Sequence, residues 1–182
     1  NPVLTEFADD VKVTRVSNER ARRVVDVGNS VYGLMLHTLA QVCAPAPLPS
    51  RLREGLADVA SDLMRYLTVI GEATSGTEPV AMAASLQPDV ILMDIGLPDK
   101  SGIDATSEIK ARFPDMAIVA LTIHEDEEYF FKMLEAGASG YVPKRAAPEE
   151  LLTAIRAAAN GEVYLYPSMA KLLVRDYLVN EP

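Results

Sequence analysis

Three polar residues follow short apolar runs: Asp94 after Val90–Met93, Thr122 after Ala117–Leu121, and Lys144 after Tyr141-Val142-Pro143. A carboxylate can act as a nucleophile toward phosphorus and form an acyl phosphate. A hydroxyl can hydrogen-bond a phosphoryl oxygen, and an ammonium can offset its charge. Each residue alone has a plainer reading: Asp94 as a strand-end residue capping a loop, Thr122 as a turn former, Lys144 as a solvated surface lysine. Together, at the ends of three successive runs, they make a reasonable phosphoryl-transfer site. They lie 28 and 22 residues apart in sequence, so the fold must bring them together.

The elements that could do so are legible from Thr68 onward. Strands are predicted at Thr68–Ile70, Val90–Met93, Ala117–Leu121 and Gly140–Val142. Helices are predicted over 78–86, 103–113, 126–136 and 148–159. The continuously apolar Val-Ile-Leu-Met run suits a central parallel strand covered on both faces, although periodicity alone does not separate it from a short buried helix. Strand–helix alternation at this spacing implies an α/β fold, a parallel sheet with right-handed crossovers. In such a sheet reacting groups gather beyond the carboxyl ends of the strands. A last helix is predicted from Pro167 to Leu178, with proline acceptable in its first turn.

The first 67 residues follow another pattern. Val24, Val27, Val31, Leu34, Leu39 and Val42 recur in steps of three to five, which predicts a helix over Ser17–Cys43 with Ser17 or Asn18 as N-cap. The run Ala44-Pro-Ala-Pro-Leu-Pro49 cannot continue a helix, because its prolines lack donors. Leu52, Leu56, Val59, Leu63 and Leu67 then predict a second helix with one apolar face. The expected organisation is a helical segment with a Pro-rich turn over 1–49, an α/β domain over 50–160, and a terminal helix within 161–182.

Composition narrows the function classes. An apolar fraction of 49% supports a sizeable core and argues against disorder. The net charge of −9 falls entirely after residue 50, where 21 acids face 12 bases, so this part is a poor partner for phosphate backbones. A single cysteine, Cys43, and two histidines rule out an intramolecular disulfide and a cysteine- or histidine-rich metal cluster. No stretch approaches twenty uninterrupted apolar residues, and no signal peptide opens the chain, so a cytoplasmic protein without membrane contact is expected.

The stretch Asp89-Val-Ile-Leu-Met-Asp94-Ile-Gly-Leu-Pro98, followed by Ser101-Gly102, resembles the phosphorylation segment of response-regulator receiver domains. Ala120-Leu-Thr122 and Gly137-Ala-Ser-Gly-Tyr141-Val-Pro-Lys144 are similar to that family's next two signatures. Gly71-Glu-Ala, Gln87-Pro-Asp89 and Pro148-Glu-Glu-Leu151 resemble the NarL/LuxR-type subgroup. The resemblance implies a flavodoxin-like fold and a signalling switch rather than a metabolic enzyme. It implies that Asp94 accepts a phosphoryl group from a histidine kinase, that Thr122 and Lys144 bind it, and that Tyr141 is an aromatic switch. It implies Mg²⁺ held by Asp94 and the Gly96 carbonyl. A homodimer is also implied, as is DNA binding through a further C-terminal domain reached by a linker helix, Ser168–Leu178 leading to Glu181-Pro182.

One part of the family pattern is missing. A receiver opens with an apolar strand ending in two or three acids, which alignment places near residues 46–50, where the sequence reads Ala-Pro-Leu-Pro-Ser. Three readings compete. The domain is a degenerate receiver that serves as a phosphate-independent interaction scaffold. Alternatively, Asp9 and Asp10 supply the acids after a strand near Val3–Phe7. Or residues 1–67 are a foreign helical segment; Ser30–Leu36 faintly resembles a ferritin-like helix but lacks the Glu-x-x-His ligand pattern.

Overall fold

The computed structural model describes residues 22–28, 67–123, 126–146 and 148–179. The elements alternate along the chain: β1 (Arg22–Val27), β2 (Leu67–Ala73), α1 (Glu78–Leu86), β3 (Val90–Asp94), α2 (Gly102–Arg112), β4 (Ala117–Thr122), α3 (Glu127–Glu135), β5 (Gly140–Pro143), α4 (Pro148–Ala159), β6 (Tyr164–Leu165) and α5 (Pro167–Val179). The six strands form one sheet in the order β2-β1-β3-β4-β5-β6, with every pair parallel. The strands and helices predicted after Thr68 stand where expected, with ends displaced by three residues at most.

The largest correction lies at the start. Arg22–Val27 is a strand, not a turn of the helix predicted from the spacing of Val24, Val27 and Val31. It pairs with β2 along its whole length and with β3 through Val24–Val27. Val24, Val25, Asp26 and Val27 are all fully buried. The physical reason is that both faces of this strand are covered, so consecutive valines are buried together; β-branched side chains favour that pleated setting. The opening strand sought near residues 46–50 is therefore found over twenty positions earlier. Leu67, read as the end of a helical stripe, instead opens β2. The rest of the predicted hairpin, the strand near Val3–Phe7 and Glu181-Pro182 lie outside the described residues.

Arg23 fixes the register of β1. Its backbone N–H donates to Asp89 Oδ2 at 2.7 Å, and Asp89 N–H returns a bond to the Arg23 carbonyl at 2.8 Å. Its guanidinium donates to the carbonyls of Leu86 (2.6 Å) and Gln87 (3.4 Å). These carbonyls close α1, where Gln87 adopts a left-handed conformation (φ 43°). A cation there satisfies orphan carbonyls and complements the helix dipole. One arginine thus ties the start of β1 to the turn that feeds β3.

The apolar run of β3 divides between two cores. Ile91 and Met93 pack with Val25, Ile118, Phe130 and Tyr141 on the face that includes residues of α1, α2 and α3. Val90 and Leu92 pack with Val24, Val119, Val142, Leu151 and Ile155 on the α4 face. Met169 of α5 is buried in the first core, and Arg175 of the same helix pairs with Glu127 at the start of α3. Glu78–Pro79 and Ser101 begin their helices in favoured ways: proline sits in the first turn of α1, and Ser101 Oγ accepts the Ile103 N–H at 3.1 Å.

Candidate phosphoacceptor site

In this strand order the chain reverses its winding between β1 and β3, and the crevice beyond their carboxyl ends is where doubly wound sheets place their chemistry. Asp94 is the last residue of β3 and stands at that point. Lys144, just past β5, reaches across to it, with Nζ 2.5 Å from Oδ2. The side chains retain only 14% (Asp94) and 30% (Lys144) exposure, so the pair is partly shielded and removal of one partner leaves a poorly solvated charge. The other oxygen, Oδ1, accepts the Gly96 N–H at 3.1 Å.

Thr122 ends β4 and is fully buried; its carbonyl accepts the Lys144 N–H at 2.8 Å, which joins the ends of β4 and β5. Tyr141 is fully buried as well, its ring edge-on to Phe130 with centroids 5.3 Å apart. The structure thus brings Asp94 and Lys144 into contact, sets Thr122 on the neighbouring strand end, and holds Tyr141 inside the core.

The β1–β3 register pairs Val27 with Met93, so Gly28 comes level with Asp94. Its φ is +92°, its N–H donates to Ala73 O at 2.8 Å, and a Cβ added there would fall 2.6 Å from Asp94 Cβ. Only glycine fits this conformation and this approach. The strand therefore ends in Val27-Gly28, where the resemblance leads one to expect acids. Asp26 is buried in register with Leu92, roughly 7 Å down the sheet from the level of Asp94.

A magnesium ion requires several oxygen ligands in near-octahedral array. The oxygen donors described at this point are those of the Asp94 carboxylate, already engaged by Lys144 Nζ and the Gly96 N–H. Among the described residues no group of three or more His, Cys, Asp or Glu could hold a metal. Asp9 and Asp10 lie outside them. The described residues do not fit the expected ion.

The loop after β3 is built as tightly as its ends. A Cβ on Gly102 would meet the Asp94 carbonyl oxygen at 2.0 Å, so only glycine allows α2 to start this close to the strand. Lys100 pairs with Glu108 of α2, and Arg112 pairs with the same carboxylate at 2.8 Å. Asp99 accepts the Gly76 N–H at 2.7 Å and the Thr77 hydroxyl at 3.0 Å. The Gly76 N–H, against some opposing desolvation, holds the Asp99 carboxyl below its ordinary pKa.

Sequence reasoning missed three of these residues. Gly28 was hidden by the helical reading of its surroundings, although a glycine closing a valine-rich run is a strand-end signal. Arg23 acts through backbone groups that no side-chain motif reveals. Asp99 looks like an ordinary turn residue, and nothing in the sequence pairs it with Gly76.

A parallel sheet of this order, with a carboxylate at its switch point and a lysine drawn onto it, defines a receiver-type α/β domain. The sequence over residues 50–156 matches the response regulator receiver domain family, and the chain belongs to that family, in its NarL/LuxR-type branch. It is 37% identical over 131 residues to the transcriptional regulatory protein DegU of Brevibacillus brevis, covering 71% of this chain and 55% of DegU. It is 46% identical over 127 residues to the transcriptional regulatory protein YxjL of Bacillus subtilis, covering 69% and 58%. The chain spans about half the length of the curated relatives it matches, and what it spans is their receiver portion. Among solved structures it resembles a LuxR-family response regulator from Aurantimonas (TM-score 0.65, 25% identity, 87% of this chain and 99% of that one). It shares the fold of the isolated receiver domain of RcsB from Salmonella enterica (TM-score 0.61, 21% identity, 84% and 99%). The family match begins at residue 50 and so omits β1, which the structure places between β2 and β3.

Proposed function

We propose that this chain is a two-component signalling receiver whose phosphoacceptor is Asp94. The observation that carries the reading is the Asp94–Lys144 contact at the switch point of the sheet. An oxygen of the Asp94 carboxylate attacks the phosphorus of a phosphohistidine on a partner kinase. The P–N bond breaks, its electron pair returns to the imidazole nitrogen, and an acyl phosphate forms. Lys144 then transfers its pairing from the carboxylate to the phosphoryl oxygens, and the Thr122 hydroxyl bonds a second oxygen. The loss of the Asp94–Lys144 contact and the inward pull on Thr122 shift the balance between two arrangements of α3, β5 and Tyr141. Dimerisation, or control of a DNA-binding domain beyond this portion, is the output, in a cytoplasmic protein. Among the described residues no helix is long and apolar enough to cross a membrane. The receiver unit includes Arg22–Gly28.

A second reading is favoured by Gly28: a receiver fold that engages partners without phosphate, because no acid stands level with Asp94 on β1. Intact-mass spectrometry after incubation with acetyl phosphate, with and without Mg²⁺, separates the two. A single phosphoryl adduct that Asp94→Asn abolishes is the expected result. Absence of any adduct at all Mg²⁺ concentrations gives the scaffold reading the lead.

A further inference from the structure

The loops after β2 and β3 leave strands that are not neighbours. β1 lies between them, which sets their ends about 10 Å apart. The two loops nevertheless meet. A Cβ on Gly76 would fall 2.1 Å from the Lys100 carbonyl oxygen, a backbone approach that only glycine permits. Asp99 closes the same contact with both carboxylate oxygens, accepting from Gly76 N and from Thr77 Oγ1. Thr77 is the N-cap residue of α1, yet its hydroxyl makes no capping bond to its own helix and turns to Asp99 instead. An exposed aspartate from another loop thus stands beside that helix start, where a negative charge complements the dipole. The segment it fastens is the one whose Gly96 N–H orients Asp94 Oδ1.

The geometry points to Asp99 as a positioning residue: its carboxylate latches the loop after β2 to the loop after β3 across the end of β1, and so orients and screens Asp94. The latch works through Gly96, which shares a seven-residue loop with it, and through the span it forms over the crevice. It decides how easily water or a small reagent reaches the Asp94 carboxylate from the β1 side. This role needs only the position of Asp94; its effect on a phosphoryl group rests on the acceptor reading above.

The test is carboxyl labelling of the full chain with a carbodiimide and glycine ethyl ester, followed by peptide mass spectrometry. In Asp99→Ala the labelling rate at Asp94 is expected to rise about threefold or more, while exposed Glu162 keeps its parental rate. Asp99→Asn retains an acceptor for the Gly76 N–H and is expected to fall between the two. Thr77→Val, which removes one latch bond and leaves Asp99 in place, should raise the Asp94 rate by a smaller factor. If Asp99→Ala speeds labelling everywhere, the variant has lost its fold and Thr77→Val decides. An Asp94 rate equal to the parent's in Asp99→Ala at constant Glu162 labelling overturns the proposal, and so does an unchanged rate in a decisive Thr77→Val. As a second readout, the acetyl-phosphate adduct should hydrolyse about threefold faster in Asp99→Ala. A parent chain that forms no adduct refutes the acceptor reading alone, and the labelling result still judges the latch.

Discussion

A chain beginning at residue 50 contains the entire stretch that matches the receiver family, yet it lacks the strand that lies between β2 and β3. Such a fragment is expected not to fold cooperatively. Val24, Val25 and Val27 are each fully buried, and burying one such side chain is worth about 1.5–3 kcal/mol, so the three contribute on the order of 5–9 kcal/mol. That is comparable with the whole stability of an ordinary domain, about 5–15 kcal/mol. Removal of β1 also leaves the facing groups of β2 and β3 without their ladder partners. A graded version is Val25→Ala, which deletes two methyl groups at about 0.8 kcal/mol each and leaves a cavity, for roughly 2 kcal/mol in all. Urea unfolding followed by circular dichroism is the assay. Val25→Ala should lower the midpoint by about 1 M at an unchanged slope, and the fragment should show no sigmoidal transition. A fragment from residue 50 that unfolds cooperatively, within about 2 kcal/mol of the full chain, would refute the placement of β1 between β2 and β3.

Other expectations follow from single contacts. Gly102→Ala should destabilise the protein by about 3 kcal/mol, a Tm loss on the order of 10 °C by calorimetry, because its methyl overlaps the Asp94 carbonyl. Lys144→Ala should abolish or greatly slow adduct formation with acetyl phosphate while circular dichroism remains that of a folded receiver; retention of the full parental rate would remove Lys144 from the site. Burial first, and then the hydrogen bond to Glu150, raise the Tyr164 phenol to about 12. Its protonated form is thus favoured by folding, so its contribution is complete below about pH 10 and disappears as pH rises from 10 to 12. Tyrosinate absorbance should show a late component near pH 12 that Tyr164→Phe removes.

Much of the fold was legible because its patterns are long or unambiguous. The Val-Ile-Leu-Met run of β3 ends at Asp94, and the helices after it carry Ser101, Pro148 and Pro167 at their starts. β1 was not legible, for a physical reason. A strand buried on both faces shows no alternation, its run is broken by Asp26, and Val24, Val27 and Val31 happen to fall at helical spacing. β6 has two residues, too few for any periodicity. The candidate site was legible as far as its residues stand at or just past strand ends, which covers Asp94, Thr122 and Lys144. Gly28 and Asp99 depend on register and on loop-to-loop approach, neither of which a linear pattern encodes.

The position of β1 also bears on how the chain reaches its native state. The strand pairs with residues about forty-five positions downstream in β2 and still further away in β3, so its contacts are among the most non-local in the sheet. Loop closure of this kind slows folding, and its early absence leaves the edges of β2 and β3 open to other chains. Its equilibrium cost is small by comparison, since doubling a loop's length adds only about 0.6 kcal/mol. Until that strand arrives, the exposed flanks of β2 and β3 are a hazard that the finished sheet no longer shows.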